Sequence, residues 1–318
     1  MKIVIVDGYA LNPGDMSWDS ICSLGETTIY ERTDVQDIVS RCLDADIILT
    51  NKVPFSKQTL AQLPKLRFIG VTATGYNIID TEAARQQGIL VTNIPAYSTA
   101  SVAQTVMALL LSVTNRVEHY TQQITREKRW SNNADFCYWD TPLTELTGKR
   151  MGIYGYGRIG AQVAVLAQAL GMEVCVHTSK DANSLPAGIQ KLTGQDFWSS
   201  CDVISLHCPL TPQTNHLVNA STLALVKPSM ILINTARGPL VDEEAIARAL
   251  HDGRLAAFCA DVLSHEPALA DNPLLSAPNV FLTPHIAWAT LEARQRLMDI
   301  LIANIRSFIE GNPINVVN

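Results

Sequence analysis

At 318 residues the chain has the length of about two domains. Apolar residues make up 47 % and charged ones 17 %, which supplies a sizeable packed core and excludes wholesale disorder. A formal charge of −6 without any Lys/Arg-rich block argues against a nucleic-acid or acidic-membrane partner, and no apolar run reaches the length of a membrane span.

The N-terminal "MKIVIVDGYALNPGD" has too short an apolar core for a signal peptide and reads as a first β-strand. From there short apolar runs alternate with amphipathic segments. "KIVIVD", "ADIILTN", "RFIGVTA" and "ILVTNI" predict strands, separated by helical stretches such as "SKQTLAQLPK" and "TEAARQQG". A long helical pattern runs from about Val102 to Tyr120, followed by a polar and aromatic stretch with Trp130, Phe136, Tyr138 and Trp139. Those aromatics fit either a loop packed on its own domain or an arm that buries them in a partner subunit. A second series follows: "RMGIYG", "EVCVHT", "DVISLHCP", "MILINTA", "LAAFCADV" and "NVFLTPHI". Strands that are apolar throughout, each followed by a helix, indicate parallel sheets covered on both faces, so the fold class is α/β with two such sheets. The last helix, within "EARQRLMDILIANIRSFIEG", is expected to cross back and finish the first domain. The boundaries are then residues 1–98 plus 290–318 for a discontinuous first domain and 99–289 for the second. The seven cysteines show no CxxC and no paired spacing; most lie in apolar runs, which points to no metal, no disulfide and a reduced cytoplasm.

"GIYGYGRIG" places Gly155, Gly157 and Gly160 at GxGxxG spacing between a strand and a helix. The first glycine permits the tight turn, the second lets a pyrophosphate approach the backbone, and the third lets helix and strand pack closely. The pyrophosphate then meets the free amides and positive dipole end of the helix. An NAD site usually ends its next strand in an acid that binds the adenine ribose. Here that strand ends "EVCVHTSK": Glu173 stands at its start, Asp181 lies beyond the expected place, and the residue in register is Thr178, followed by Ser179 and Lys180. Hydroxyls and a cation suit a 2′-phosphate, so the loop favours NADP(H) over NAD(H).

Three segments of the second half end an apolar strand with a polar group: "MILINTARG" in Arg237, "AAFCADVLSHEP" in Glu266 and "VFLTPHIAW" in His285. Strand ends on one edge of a parallel sheet converge on the cofactor. Reducing a 2-keto acid needs a hydride and a proton. His285 as imidazolium can give the proton, a form that a neighbouring Glu266 carboxylate favours, and neutral His285 can act as base in reverse. Arg237 can hold the substrate carboxylate and polarise the keto oxygen. Further carboxylate contacts can come from the amides of "TATGYN", Thr72 to Asn77, where a glycine permits close approach.

"ATGYNIID", "NIPAYSTASVAQ", "DFCYWD", "GIYGYGRIG", "SLHCPLTPQT", "INTARGPLVDEEAIARAL" and "PHIAWAT" together resemble a D-2-hydroxyacid dehydrogenase over nearly the full length, in its glycerate dehydrogenase (hydroxypyruvate or glyoxylate reductase) branch. The resemblance implies two Rossmann-like domains with the cofactor between them and a homodimer built through the arm near residues 120–148. It implies catalysis by Arg237, Glu266 and His285, and substrate binding by Thr74 and Gly75 together with Arg237 and His285. It sets Arg158, Ile159, His207, Pro209, Thr214, Thr235 and Asp261 along the cofactor, with Asp261 at the nicotinamide carboxamide. NAD-dependent relatives carry Asp where this chain has Thr178, and NADPH-preferring ones a Ser/Arg/Lys-like run that "TSK" resembles without the arginine. The chain leaves no room after His285 for the regulatory domain of longer phosphoglycerate dehydrogenases, and Glu266 stands where formate enzymes carry Gln. Two rival readings stay open: a dehydrogenase for pyruvate or a bulkier keto acid, with Lys52, Tyr76 and Trp288 shaping its pocket, and a nicotinamide-sensing binding protein like the corepressors that share the fold.

Overall fold

A computed structural model describes all of residues 1–318. The chain divides into two compact units, one made of Met1–Ser98 with Ala289–Asn318, the other of Thr99–Trp288.

In the first unit five strands run parallel: β1 (Lys2–Ile5), β2 (Glu26–Ile29), β3 (Ile47–Thr50), β4 (Phe68–Val71) and β5 (Leu90–Thr92), in the order β2-β1-β3-β4-β5. β3 and β4 are buried at every position, which is why "IILT" and "FIGV" carry no polar alternation. The helix Leu291–Ile309 comes from the far end of the chain and packs on β4. It lies so close that a Cβ on Gly70 would stand 2.8 Å from Leu49 and 3.0 Å from Leu301. The ring of Phe308 lies 4.8 Å from that of Phe68.

The second unit carries seven parallel strands: β6 (Arg150–Tyr154), β7 (Glu173–His177), β8 (Ile189–Lys191), β9 (Val203–Leu206), β10 (Ile231–Asn234), β11 (Ala257–Ala260) and β12 (Val280–Leu282). Their order is β12-β11-β10-β9-β6-β7-β8. The chain runs outward from β6 to β8 and then returns to β6's other side as β9, so the winding reverses beside β6. A ligand crevice belongs at the carboxyl ends of the strands on either side of such a reversal.

Two strands escaped the sequence reading, β2 ("ETTI") and β8 ("IQK"). Both lie at sheet edges and are too exposed to show an apolar run. The helix expected over Val102–Tyr120 is two helices, Thr99–Asn115 and Val117–Thr125. Arg116 sits at φ +50° between them, a left-handed conformation that ends the first helix without any proline or glycine to announce it.

Phe258, in the middle of β11, is fully buried and packs within the core between that sheet and its helices. Phe258→Ala is expected to cost about 3–5 kcal/mol in urea denaturation; a loss under about 1 kcal/mol would contradict a close-packed centre.

Candidate active site

The glycine loop has the geometry its sequence predicts. Gly155 adopts φ +100°, and a Cβ there would stand 2.6–2.8 Å from the backbone of His207 and Cys208. At Gly160 a Cβ would meet the Gly155 carbonyl at 2.3 Å, so the helix can close on β6 only without a side chain. Around Gly157 there is open space, with nothing within 4 Å of where its Cβ would be. The helix Arg158–Ala169 begins directly after it, presenting Arg158, Ile159 and Gly160 in its first turn, whose amides have no helical acceptor. Thr235, at the end of β10, has a buried hydroxyl with no hydrogen-bond partner. An open backbone cradle at a helix N-terminus and an orphaned buried hydroxyl at another strand end of the same sheet fit a dinucleotide.

Beside the cradle, His207 follows β9 and its Nε2 shares a 2.8 Å hydrogen bond with the Ser205 hydroxyl. Burial pushes this imidazole down to about 4, so it is neutral near pH 7. Thr214 donates its hydroxyl proton to the Pro209 carbonyl at 2.7 Å, which closes the turn from Pro209 to Thr214.

At the end of β7, His177 stacks on Tyr154 at 4.2 Å. Burial holds its imidazole below the usual value, and Lys191 adds to that. Thr178 Oγ1 accepts the amide proton of Lys180 at 3.2 Å, making a small turn through Ser179. Lys180 Nζ stands 5.3 Å over the Tyr156 ring. Asp181 uses its carboxylate to cap the turn that follows, accepting from the Asn183 amide at 2.9 Å. Glu173 pairs with Arg150 at the opposite, amino end of the sheet.

His285 Nδ1 lies 2.7 Å from Glu266 Oε2, and the other Glu266 oxygen accepts the Leu263 amide proton at 3.2 Å. Both carboxylate oxygens are thus used, which fixes the imidazole ring and leaves its Nε2 facing away from the pair. His285 itself is strained at φ +56°. Asp261, at the end of β11 and only 2 % exposed, holds the segment on both sides of it. Its Oδ1 accepts from the Thr283 hydroxyl (2.6 Å) and the Ile286 amide (2.8 Å), its Oδ2 from the Ala287 amide (2.9 Å). Oδ2 keeps a lone pair for a further donor.

Arg237 lies exposed in the turn after β10, its guanidinium touching only the Ala236 carbonyl and no carboxylate. The turn is built by Asn234, fully buried, which donates to the Arg237 carbonyl at 2.8 Å and accepts from the Ala236 amide at 3.1 Å. Gly238 follows, and a Cβ there would fall 2.0 Å from the Leu263 carbonyl, so the Arg237 turn and the Glu266 turn are pressed together. Glu243 adds a clamp, accepting from the Ser264 amide and from Asn272. Asn234, Glu243 and Ser205 were missed by sequence reasoning. They touch backbone or neighbours rather than bearing reactive groups, and the only trace of them is that they flank residues the sequence singles out.

In the first unit Thr74 and Gly75 form the turn after β4. Thr74 donates its hydroxyl proton to the Ile94 carbonyl at 2.8 Å, and its own carbonyl accepts from Asn93 at 2.7 Å. The amides of Gly75 and Tyr76 have no partner within the chain and stand ready for an anion.

A nicotinamide-type dinucleotide cradle and a histidine–carboxylate pair on one parallel sheet, with a second parallel α/β unit, define an α/β dehydrogenase. Residues 107–287 match the family model described as D-isomer specific 2-hydroxyacid dehydrogenase, NAD binding domain. The chain belongs to that family: it is an oxidoreductase that works with a nicotinamide cofactor. It is 47 % identical to a hydroxypyruvate reductase of Blautia hydrogenotrophica over 100 % of both chains. It is 41 % identical to a glycerate dehydrogenase of Methylorubrum extorquens, covering 91 % of this chain and 90 % of the relative. Among solved structures, an acyclic imino acid reductase (Bsp5) in complex with NADPH and D-Arg superposes with a TM-score of 0.86 at 30 % identity over the full length of both chains. No helix is long and apolar enough to cross a membrane.

His207 gives a pH test. Its value in the folded state lies below the 6.5 of an ordinary histidine, so its contribution to stability is complete above about pH 6.5 and is lost as pH falls toward 4. The melting temperature of the wild-type protein should therefore fall more between pH 7 and 4.5 than that of His207→Gln; parallel curves would remove the buried imidazole from the account.

Proposed function

We propose that the protein reduces hydroxypyruvate or glyoxylate to the D-2-hydroxy acid, or runs the reverse reaction, with NADP(H) favoured over NAD(H). The observation that carries this reading is the 2.7 Å Glu266–His285 pair past strand ends of the same sheet that carries the glycine cradle. With its pyrophosphate in that cradle, a nicotinamide dinucleotide would supply the hydride, or take it in reverse. His285 handles the proton: Glu266 fixes Nδ1 as the inner nitrogen, so Nε2 is the atom that gives a proton to the forming alkoxide or removes one from the alcohol. Arg237, exposed and free of any carboxylate, holds the substrate carboxylate and stabilises charge on the carbonyl oxygen. In the first unit, the free amides at Gly75 and Tyr76 and the turn at Thr74 suit a substrate carboxylate.

The cofactor residues follow the family pattern: Gly155, Gly157 and Gly160 with Arg158 and Ile159 at the pyrophosphate, His207, Pro209, Thr214 and Thr235 along its length, and Asp261 at the carboxamide through the free lone pair of Oδ2. Thr178, Ser179 and Lys180 take the place of the acid, and their hydroxyls and ammonium suit the 2′-phosphate. A reduced cytoplasm is part of the same reading, on the unpaired spacing of the seven cysteines; the buried Cys175 and Cys201 share an S–H···S hydrogen bond at 3.4 Å.

We further propose a homodimer through the arm near 120–148. The arm is ordered from within: Asp140 gathers Gln123, His119 and Arg129, and Arg129 lies 4.1 Å over the Tyr138 ring. Yet Phe136 and Trp139 remain 89 % and 67 % exposed, and exposed aromatics on an ordered scaffold suit an interface core.

His285→Ala should lower kcat with hydroxypyruvate by about 10²–10⁴-fold while NADPH binding, followed by fluorescence, stays within about twofold; a variant of near-normal rate would sink the acid–base role. Phe136→Ser combined with Trp139→Ser should shift sedimentation from dimer to monomer, and an unchanged profile would remove the arm from the interface.

A further inference from the structure

We propose that Lys191 is a specificity-determining residue for the phosphorylated adenosine end of the cofactor, acting with Lys180 on the 2′-phosphate; the inference rests on the NADP(H) reading above. Lys191 ends β8, the edge strand next to β7, and stands in register with Val176, one residue before His177. Both strands are parallel, so Lys191 and the Thr178–Lys180 turn share the carboxyl edge of the sheet. Its Nζ donates to the Lys180 carbonyl at 2.7 Å. One of three ammonium donors therefore braces the turn, and two remain.

The charge is not neutralised nearby. Two other cations of this unit, Arg150 and Lys227, sit on carboxylates, Glu173 at 2.9 Å and Asp202 at 2.8 Å. Lys180 and Lys191 have no such partner, and the one acid at hand, Asp181, is engaged with the Asn183 amide. Lys191 is also half-buried, whereas Lys180 is exposed. A partly desolvated ammonium held in one place is screened less than a mobile surface lysine. Two unneutralised cations beside a turn bearing the hydroxyls of Thr178 and Ser179 make a receptor for a dianionic phosphate, and they offer nothing extra to a plain ribose. The arginine absent from "TSK" is thus replaced from the neighbouring strand, out of reach of any motif in the loop itself.

The test is calorimetric binding of 2′,5′-ADP and of 5′-ADP to the wild-type protein, Lys191→Met and Lys191→Arg, with melting curves to verify folding. Wild type should bind 2′,5′-ADP more tightly than 5′-ADP. Lys191→Met should weaken 2′,5′-ADP at least tenfold and leave 5′-ADP within twofold, while Lys191→Arg keeps most of the discrimination. Full discrimination surviving in Lys191→Met would overturn the role of Lys191 alone. Equal weakening of both ligands would reduce it to a structural brace. A wild-type protein that binds the two ligands equally would overturn the NADP(H) reading and this inference together.

Discussion

A buried carboxylate needs donors, and Asp261 finds all of its own on the segment that carries His285. Desolvating such a group without hydrogen bonds costs several kcal/mol, so the amides of Ile286 and Ala287 and the hydroxyl of Thr283 are drawn to it. The backbone between Thr283 and Ile286 must then turn sharply, and His285 absorbs the turn in a left-handed conformation. The strain is held by a core residue, not by a substrate. Everything further out follows from that anchor: the imidazole reaches Glu266, Glu266 caps its own turn at Leu263, and the bare backbone of Gly238 lets the Arg237 turn lie against it.

Much of this arrangement is visible in the residues before any coordinates. Central strands such as β3, β4 and β9 to β11 are buried on both faces, and a strand without polar alternation can be read directly. The glycine fingerprint is equally plain, because Gly155 and Gly160 answer backbone contacts too short for any side chain and Gly157 keeps open space for a ligand. Arg237, Glu266 and His285 stand out in the sequence because each is a charged or titratable group past an apolar run.

What could not be read has a common cause. β2 and β8 are edge strands with one neighbour each and side chains that are at best partly buried, so neither is required to be apolar. The break at Arg116 depends on a local backbone state open to any residue at modest cost. Asn234 and Glu243 act by satisfying amides and carbonyls, work that polar residues do throughout a protein, so their types alone carry no signal. Lys191 combines both difficulties: it lies on an unreadable strand and acts on a turn eleven residues earlier.

The division of the first unit into two sequence segments shapes how the chain can come off the ribosome. β4 and its Gly70 groove are made before the second unit, and the helix Leu291–Ile309 that covers them only after it. Synthesis of the roughly 190 intervening residues takes about 10–40 s at ordinary elongation rates. During that interval the second unit has all its strands in one stretch and can fold, while the β4 face of the first stays wet and apolar. That face is the natural landing place for a chaperone acting on the nascent chain.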